Sequence, residues 1–183
     1  MPLDDMSDEQ LMIACRYGNR GAFALLFEKY RGPVFHFARR MLRDEAAAED
    51  LCQEVFLNAA AAANRYEPAM RFRPWLFTIA RNACLNSFRR PRAAPLPPSV
   101  PDPQSDDPAA ALSRAEREAR VEGAIGRLPE PLREAFLLRF RHGMEYEEIA
   151  EVTGVPVATA RTHVHRARLR LAEELQDLLG EER

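Results

Sequence analysis

Lysine is almost absent from this chain: of 26 basic residues only Lys29 is a lysine, and the others are arginine. That matters because the planar guanidinium fork grips phosphate and guanine in a way that an ammonium does not. Glycine is scarce, at 8 in 183 residues, and alanine, leucine, glutamate and arginine dominate. That composition favours helices. The three cysteines, Cys15, Cys52 and Cys84, are odd in number, far apart and set in apolar helical patterns. They read as buried thiols of a reducing cytoplasm, not a disulfide framework. Metal-ligand spacing is missing too, since His163 and His165 point in different directions on a helix. No metal or other cofactor is expected. Nor is there a nucleophile–base pair or a phosphate loop, so an enzyme with catalytic residues is not expected. No stretch approaches the roughly 18 uncharged apolar residues of a membrane span. The acidic opening MPLDDMSDEQ has no apolar signal core. The expectation is a soluble, cytoplasmic protein without membrane insertion.

Proline is concentrated in one place. Residues 91–108 hold Pro91, Pro95, Pro97, Pro98, Pro101, Pro103 and Pro108, with Asp102, Asp106 and Asp107 among them. Such a stretch excludes helix and strand and reads as an extended linker. The expected fold is therefore all-α: two small helical domains, 8–90 and 112–180, joined by a Pro/Asp-rich linker at 91–111.

The first domain opens on Ser7-Asp-Glu-Gln10, a capping-box pattern. Leu11, Ala14 and Cys15 follow on one face. A second helix is predicted from about Gly21 to Arg31, with Phe23, Leu26, Phe27 and Tyr30 inward. Pro33 is expected to open a third, with Val34, Phe37 and Met41 inward. Residues 44–64 then contain Asp44, Glu45, Glu49, Asp50 and Glu54 and no base. Leu51, Cys52, Val55, Phe56 and Ala59 make an apolar stripe there. Asp50, Gln53, Glu54 and Leu57 fall at i, i+3, i+4 and i+7 and make a second stripe. That second stripe is either a solvated face or a dock for a basic or amphipathic partner helix.

The sign reverses at Arg65. Arg65, Arg71, Arg73, Arg81, Arg89, Arg90 and Arg92 face only Glu67, interleaved with Tyr66, Phe72, Trp75, Phe77 and Phe88 and with Asn82 and Asn86. Tyr66 to Pro74 is expected as a loop and Trp75 to Arg90 as a helix. Arginines mixed with aromatics suit single-stranded nucleic acid, the cations following the backbone and the rings stacking on bases. Some of the rings must be core, Phe77 among them.

The second domain begins at Ser113-Arg-Ala-Glu116, another capping-box pattern, and Val121, Ala124, Ile125 and Leu128 face inward. Pro129 and Pro131 break that helix, and a further one ends near Gly143. Then comes Tyr146 to Gly154, a short helix with a glycine turn, followed by Val157 to Leu171. This last stretch holds Arg161, Arg166, Arg168 and Arg170 and no acid, in a chain of net charge −2. A compact helix, a glycine turn and a basic helix are the parts of a helix-turn-helix, whose second helix reads the major groove. Ile149, Ala150, Val152, Val155, Ala160, Val164 and Ala167 would form its core. Thr159, Arg161, Thr162, Arg166 and His163 would face outward.

Five blocks in order resemble the extracytoplasmic-function (ECF) group of bacterial sigma-70 family sigma factors. They are Asp50-Leu-Cys-Gln-Glu54, Phe72-Arg-Pro-Trp-Leu-Phe-Thr-Ile-Ala-Arg-Asn82, Leu128-Pro-Glu-Pro-Leu-Arg-Glu-Ala-Phe136, Tyr146-Glu-Glu-Ile-Ala150 and Thr159-Ala-Arg-Thr-His-Val-His-Arg-Ala-Arg168. The resemblance implies a region 2 that docks an acidic helix on the coiled coil of the RNA polymerase beta-prime subunit, here through Asp50, Gln53, Glu54 and Leu57. It implies minus-ten recognition and melting by a loop at Tyr66 to Arg73 and by the helix after it. Tyr66, Arg71, Phe72, Arg73, Trp75, Arg81, Asn82, Asn86, Arg89 and Arg90 fall on that segment. It implies a region 4 that reads the minus-thirty-five element with Thr159, Arg161, Thr162, His163 and Arg166. The implied partners are core RNA polymerase, including its beta flap, promoter DNA and an anti-sigma factor. Many relatives have serine and arginine where this chain has Thr162 and His163. Thr159 to Val164 also resembles the DNA-binding domain of LuxR-type regulators, so the alternative is a helix-turn-helix regulator without sigma activity.

Overall fold

The computed structural model describes residues 2–89 and 108–176, and every regular element among them is helical. In chain order, α1 spans Asp8–Arg16, α2 Arg20–Leu42, α3 Glu45–Ala62 and α4 Phe72–Arg89. After the stretch at 90–107, which lies outside the described residues, α5 spans Pro108–Arg127, α6 Glu130–Phe136, α7 Tyr146–Thr153 and α8 Val157–Glu174. A π-helical turn, Leu137–Arg141, extends α6.

Local chemistry sets several of these ends. Ser7 accepts from the Gln10 N–H while the Gln10 side chain accepts from the Ser7 N–H, completing the capping box of α1. Asn19 and Asp44 cap α2 and α3 by accepting from the Ala22 and Ala47 N–H groups. Each such cap contributes about 1 kcal/mol. Gly154 ends α7 at φ 69°, a left-handed conformation that glycine adopts without a Cβ penalty.

Four expectations are corrected. Pro33 does not open a new helix but lies inside α2. An interior proline costs roughly 3 kcal/mol. Leu26, Tyr30, Val34, Phe37 and Met41 line one buried stripe on both sides of it, and each large buried side chain returns about 1.5–3 kcal/mol. Second, α4 starts at Phe72 rather than Trp75. Pro74 is then in the first turn, where a missing N–H costs nothing. Third, Ser113 is not a cap, because α5 already runs from Pro108, inside the stretch read as linker. Fourth, only Cys84 is buried, whereas Cys15 and Cys52 are partly exposed.

Helices α1 to α4 share one core, with α2 central against α1, α3 and α4. Phe37 of α2 meets Phe77 of α4 edge-on at 5.5 Å. In the second domain α8 packs against α5, α6 and α7. Ile149, Val152, Ala160, Val164 and Ala167 are buried there, as the helix-turn-helix reading requires, and Ala150 and Val155 are partly buried. The two domains also touch. Helix α4 lies against α7, and α2 meets α5 and α6. The His142 ring, from the turn after α6, packs on Phe37 and Phe77 at 5.9 and 4.7 Å.

Candidate nucleic-acid and partner interfaces

The acidic face is carried by α3. Burial of Leu51, Val55, Phe56 and Ala59 fixes the helix's rotation. That rotation leaves Asp50, Gln53, Glu54 and Leu57 all exposed, with Leu57 at 72%. Among the described residues neither Asp50 nor Glu54 has an ion-pair partner. A large apolar side chain ringed by unpaired carboxylates is the composition of a docking face for a cationic amphipathic helix.

The segment at 66–86 divides more sharply than its composition suggests. Tyr66 and Phe72, both expected to meet bases, are core residues at 0% and 2% exposure. The Tyr66 hydroxyl donates to the Met70 carbonyl at 2.6 Å, closing the loop on itself. Burial first, then the Glu9 and Asp8 carboxylates, push that hydroxyl up to about 12 and keep its proton in place. The Phe72 N–H donates to Glu9, so a carboxylate of α1 sits at the start of α4, where the helix dipole favours it. Burial acts to raise the Glu9 carboxyl. Hydrogen bonds from its own N–H, the Phe72 N–H and the Ser7 hydroxyl outweigh that and hold it below the usual carboxylate range.

Trp75 is partly exposed. It packs its ring against Tyr66 at 5.1 Å and Phe72 at 5.9 Å. It lines an open cavity of about 330 Å³ with Ala69, Met70, Arg71, Pro74, Thr78 and Glu151. Beyond it Asn82 and Asn86 are exposed on α4. Helical spacing sets Trp75, Thr78, Asn82 and Asn86 along one side of that helix. The arginines are engaged elsewhere. Arg71 pairs with Glu151 at 2.5 Å and lies 3.9 Å from Glu148. Arg81 donates through Nε to the buried Glu134 at 2.5 Å. Arg73 is partly buried and adds to burial, the larger cause, in holding His142 below the usual histidine range. Arg89 closes α4, with its side chain outside the described residues, as is all of Arg90.

On α8, Arg161, Thr162 and Arg166 are exposed, while Thr159 and His163 are partly buried. The Thr162 hydroxyl donates back to the Ala158 carbonyl at 2.9 Å. The Tyr146 ring is flanked by the guanidinium groups of Arg139 at 5.0 Å and Arg161 at 5.2 Å, which holds Arg161 at the start of the helix. The helix thus presents the Arg161 and Arg166 guanidinium groups and the Thr162 hydroxyl oxygen to solvent, as a helix that enters a major groove does.

Comparison with known proteins decides what these faces belong to. The model of Sigma-70 region 2 matches residues 26–94, and that of Sigma-70, region 4 matches residues 118–171. The RNA polymerase sigma-H factor of Pseudomonas aeruginosa is 34% identical over 98% of this chain and 99% of its own. The ECF RNA polymerase sigma factor SigM of Mycobacterium tuberculosis is 33% identical over 93% of this chain and 86% of its own. This chain belongs to the ECF group of sigma-70 family sigma factors. Its first domain is region 2 and its helix-turn-helix domain is region 4. The LuxR alternative has no counterpart to the region 2 match. A solved structure of CnrH in complex with the cytosolic domain of CnrY superposes with a TM-score of 0.74 at 28% identity, covering 93% of this chain and 97% of that one. Among the described residues no helix is long and apolar enough to cross a membrane.

Sequence reasoning missed the carboxylates Glu122, Glu134, Glu148 and Glu151. They lie on α5, α6 and α7, and each pairs with or approaches an arginine of region 2. No periodicity marks them, because their partners lie 53 to 82 residues away.

Proposed function

We propose that this sigma factor works by three separate contacts. Asp50, Gln53, Glu54 and Leu57 dock on the beta-prime coiled coil of core RNA polymerase. The Trp75 cavity and the α4 side bearing Asn82 and Asn86 take the opened minus-ten strand. Arg71, Arg73, Arg81, Arg89 and Arg90 supply cations along its backbone, while Tyr66 and Phe72 support the pocket from beneath. Thr159, Arg161, Thr162, His163 and Arg166 read the minus-thirty-five element, with region 4 resting on the beta flap. An anti-sigma factor is the expected inhibitor. The chain performs no bond-making step of its own and acts in the cytoplasm, where polymerase supplies the chemistry.

The energetics support such a division. Unstacking a base costs a few kcal/mol, and pocket stacking returns it. Groove contacts discriminate by about 1–3 kcal/mol each. Once docked, every later contact is intramolecular, so weak modules add through effective concentration.

The observation that carries the reading is the exposed α3 stripe, acidic, without counter-ions and centred on Leu57. The test is Asp50→Arg with Glu54→Arg, titrated against fluorescent core polymerase. Affinity is expected to fall about a hundredfold, the effect of losing a hot spot. The melting temperature stays put, because both side chains are exposed. Unchanged core affinity rejects this docking face.

A further inference from the structure

Tyr146 is the first residue of α7, and its partly buried ring joins three elements. The guanidinium of Arg139, from the π-helical turn, lies 5.0 Å from the ring centroid, and that of Arg161, from α8, lies 5.2 Å from it. The two arginines are not equivalent. Arg139 is spent inside the domain. It donates through Nη1 to the Met144 carbonyl at 2.8 Å and pairs with Glu145 at 2.9 Å. Glu145 is itself held, its N–H donating to the Glu148 carboxylate at 2.8 Å. Arg161 is exposed and has no carboxylate partner among the described residues. The ring therefore has a fixed, neutralised cation against it from within and a single uncompensated cation toward solvent.

Stacking on a ring uses the face of a guanidinium, whereas hydrogen bonds to a base use its edge. Arg161 keeps its N–H groups free for a base pair while it stays on Tyr146. An arginine already held in one conformation loses less freedom on making that contact than one that is loose. We infer that Tyr146 is a positioning residue for minus-thirty-five reading, its ring, seated on Arg139 and Glu145, holding Arg161 in the conformation that reads one base pair. This inference rests on the proposed assignment of α8 to the minus-thirty-five element. Tyr146 acts through Arg161, so its loss blurs one position of the element and leaves the others sharp. Arg166 is the comparison on the same helix, since no ring stands against it among the described residues.

The test uses holoenzyme formed with the full chain and a pool of duplexes randomised over both promoter elements. Bound duplexes are sequenced, and the preference for the best base over the next is read at each position. Arg161→Ala and Arg166→Ala locate the positions that those two side chains read. Tyr146→Leu is expected to reduce the preference at the Arg161 position about fivefold, the worth of one cation–π contact. The Arg166 position should keep its preference. Tyr146→Phe, which retains the ring, should behave as wild type. If Tyr146→Leu loses helicity, Arg139→Gln replaces it, and an unchanged preference at the Arg161 position then overturns the inference. Equal weakening on all duplexes by Tyr146→Leu, with every preference intact, overturns it as well, because a phosphate contact or a purely structural role acts in that way. So does a Tyr146→Phe variant that behaves like Tyr146→Leu, or an Arg161→Ala variant that changes no preference. A wild-type holoenzyme with no base preference in the upstream element rejects the minus-thirty-five reading itself.

Discussion

Tyr66, Phe72 and Trp75 form one aromatic cluster, yet only Trp75 reaches solvent. A ring that stacks on a base has to be accessible, so in the proposed site Tyr66 and Phe72 can serve only as its floor. Their contribution is stability, and it is measurable. Tyr66→Phe keeps the ring and deletes the hydroxyl that donates to the Met70 carbonyl. Leaving that acceptor without its partner should cost about 1–2 kcal/mol, read as a lower midpoint in urea with an unchanged slope. A variant as stable as wild type would mean that the loop does not depend on this hydrogen bond. The mixture of arginines and aromatics at 65–90 was visible in the sequence. Which ring lies beneath and which above was not. That sorting depends on Glu9 of α1 and on a loop closed over Tyr66, and neither contact leaves a local pattern.

Helices read well where one apolar stripe and one cap decided them. The rotation of α3 follows from Leu51, Val55, Phe56 and Ala59, so the exposure of the opposite stripe was implied before any coordinates. The helix-turn-helix follows from Gly154 and the spacing of Ile149, Val152, Ala160 and Val164. Proline misled at Pro33 because its local cost is visible and the burial that outweighs it is distant, and at Pro74 because a proline in the first turn of a helix costs nothing. Pro33 therefore stores a cost that substitution should release. Pro33→Ala restores an N–H for the Lys29 carbonyl and relieves the ring's clash with it, worth roughly 3 kcal/mol in a helix interior. The more flexible unfolded chain takes back up to about 1 kcal/mol. The net expectation is a protein about 2 kcal/mol more stable by urea denaturation. A loss of stability would show that α2 needs a bend at this point.

The whole molecule has a net charge of −2 because 28 acidic residues nearly cancel 26 basic ones, and the two signs are segregated onto separate faces. The packing of one domain on the other, which the linker in the sequence did not announce, brings some of those faces together. It also buries two titrating groups with opposite consequences. His142 is pushed down to about 4, first by burial and then by Arg73, Arg40, His36 and Arg141. With its pKa depressed, it supports the closed packing above its ordinary 6.5, and that support is lost as pH falls toward 4. Glu134 is pushed up to about 7 by burial and by Glu130, with Arg81 pulling it back. With its pKa raised from 4.5, it favours the closed packing at low pH, and that support is lost as pH rises through 7. The two windows overlap and the shifts are similar in size, so the wild type should stay equally closed between pH 7.5 and 5. Glu134→Gln removes one side of the balance. His142 alone then favours opening by a factor on the order of thirty over that range. Small-angle scattering of the two proteins across the pH series measures it. A constant radius of gyration in the wild type and a rising one in Glu134→Gln on acidification would show the compensation. Opening of the wild type, or a variant indifferent to pH, would show that these two groups do not face each other's titration across the domain contact.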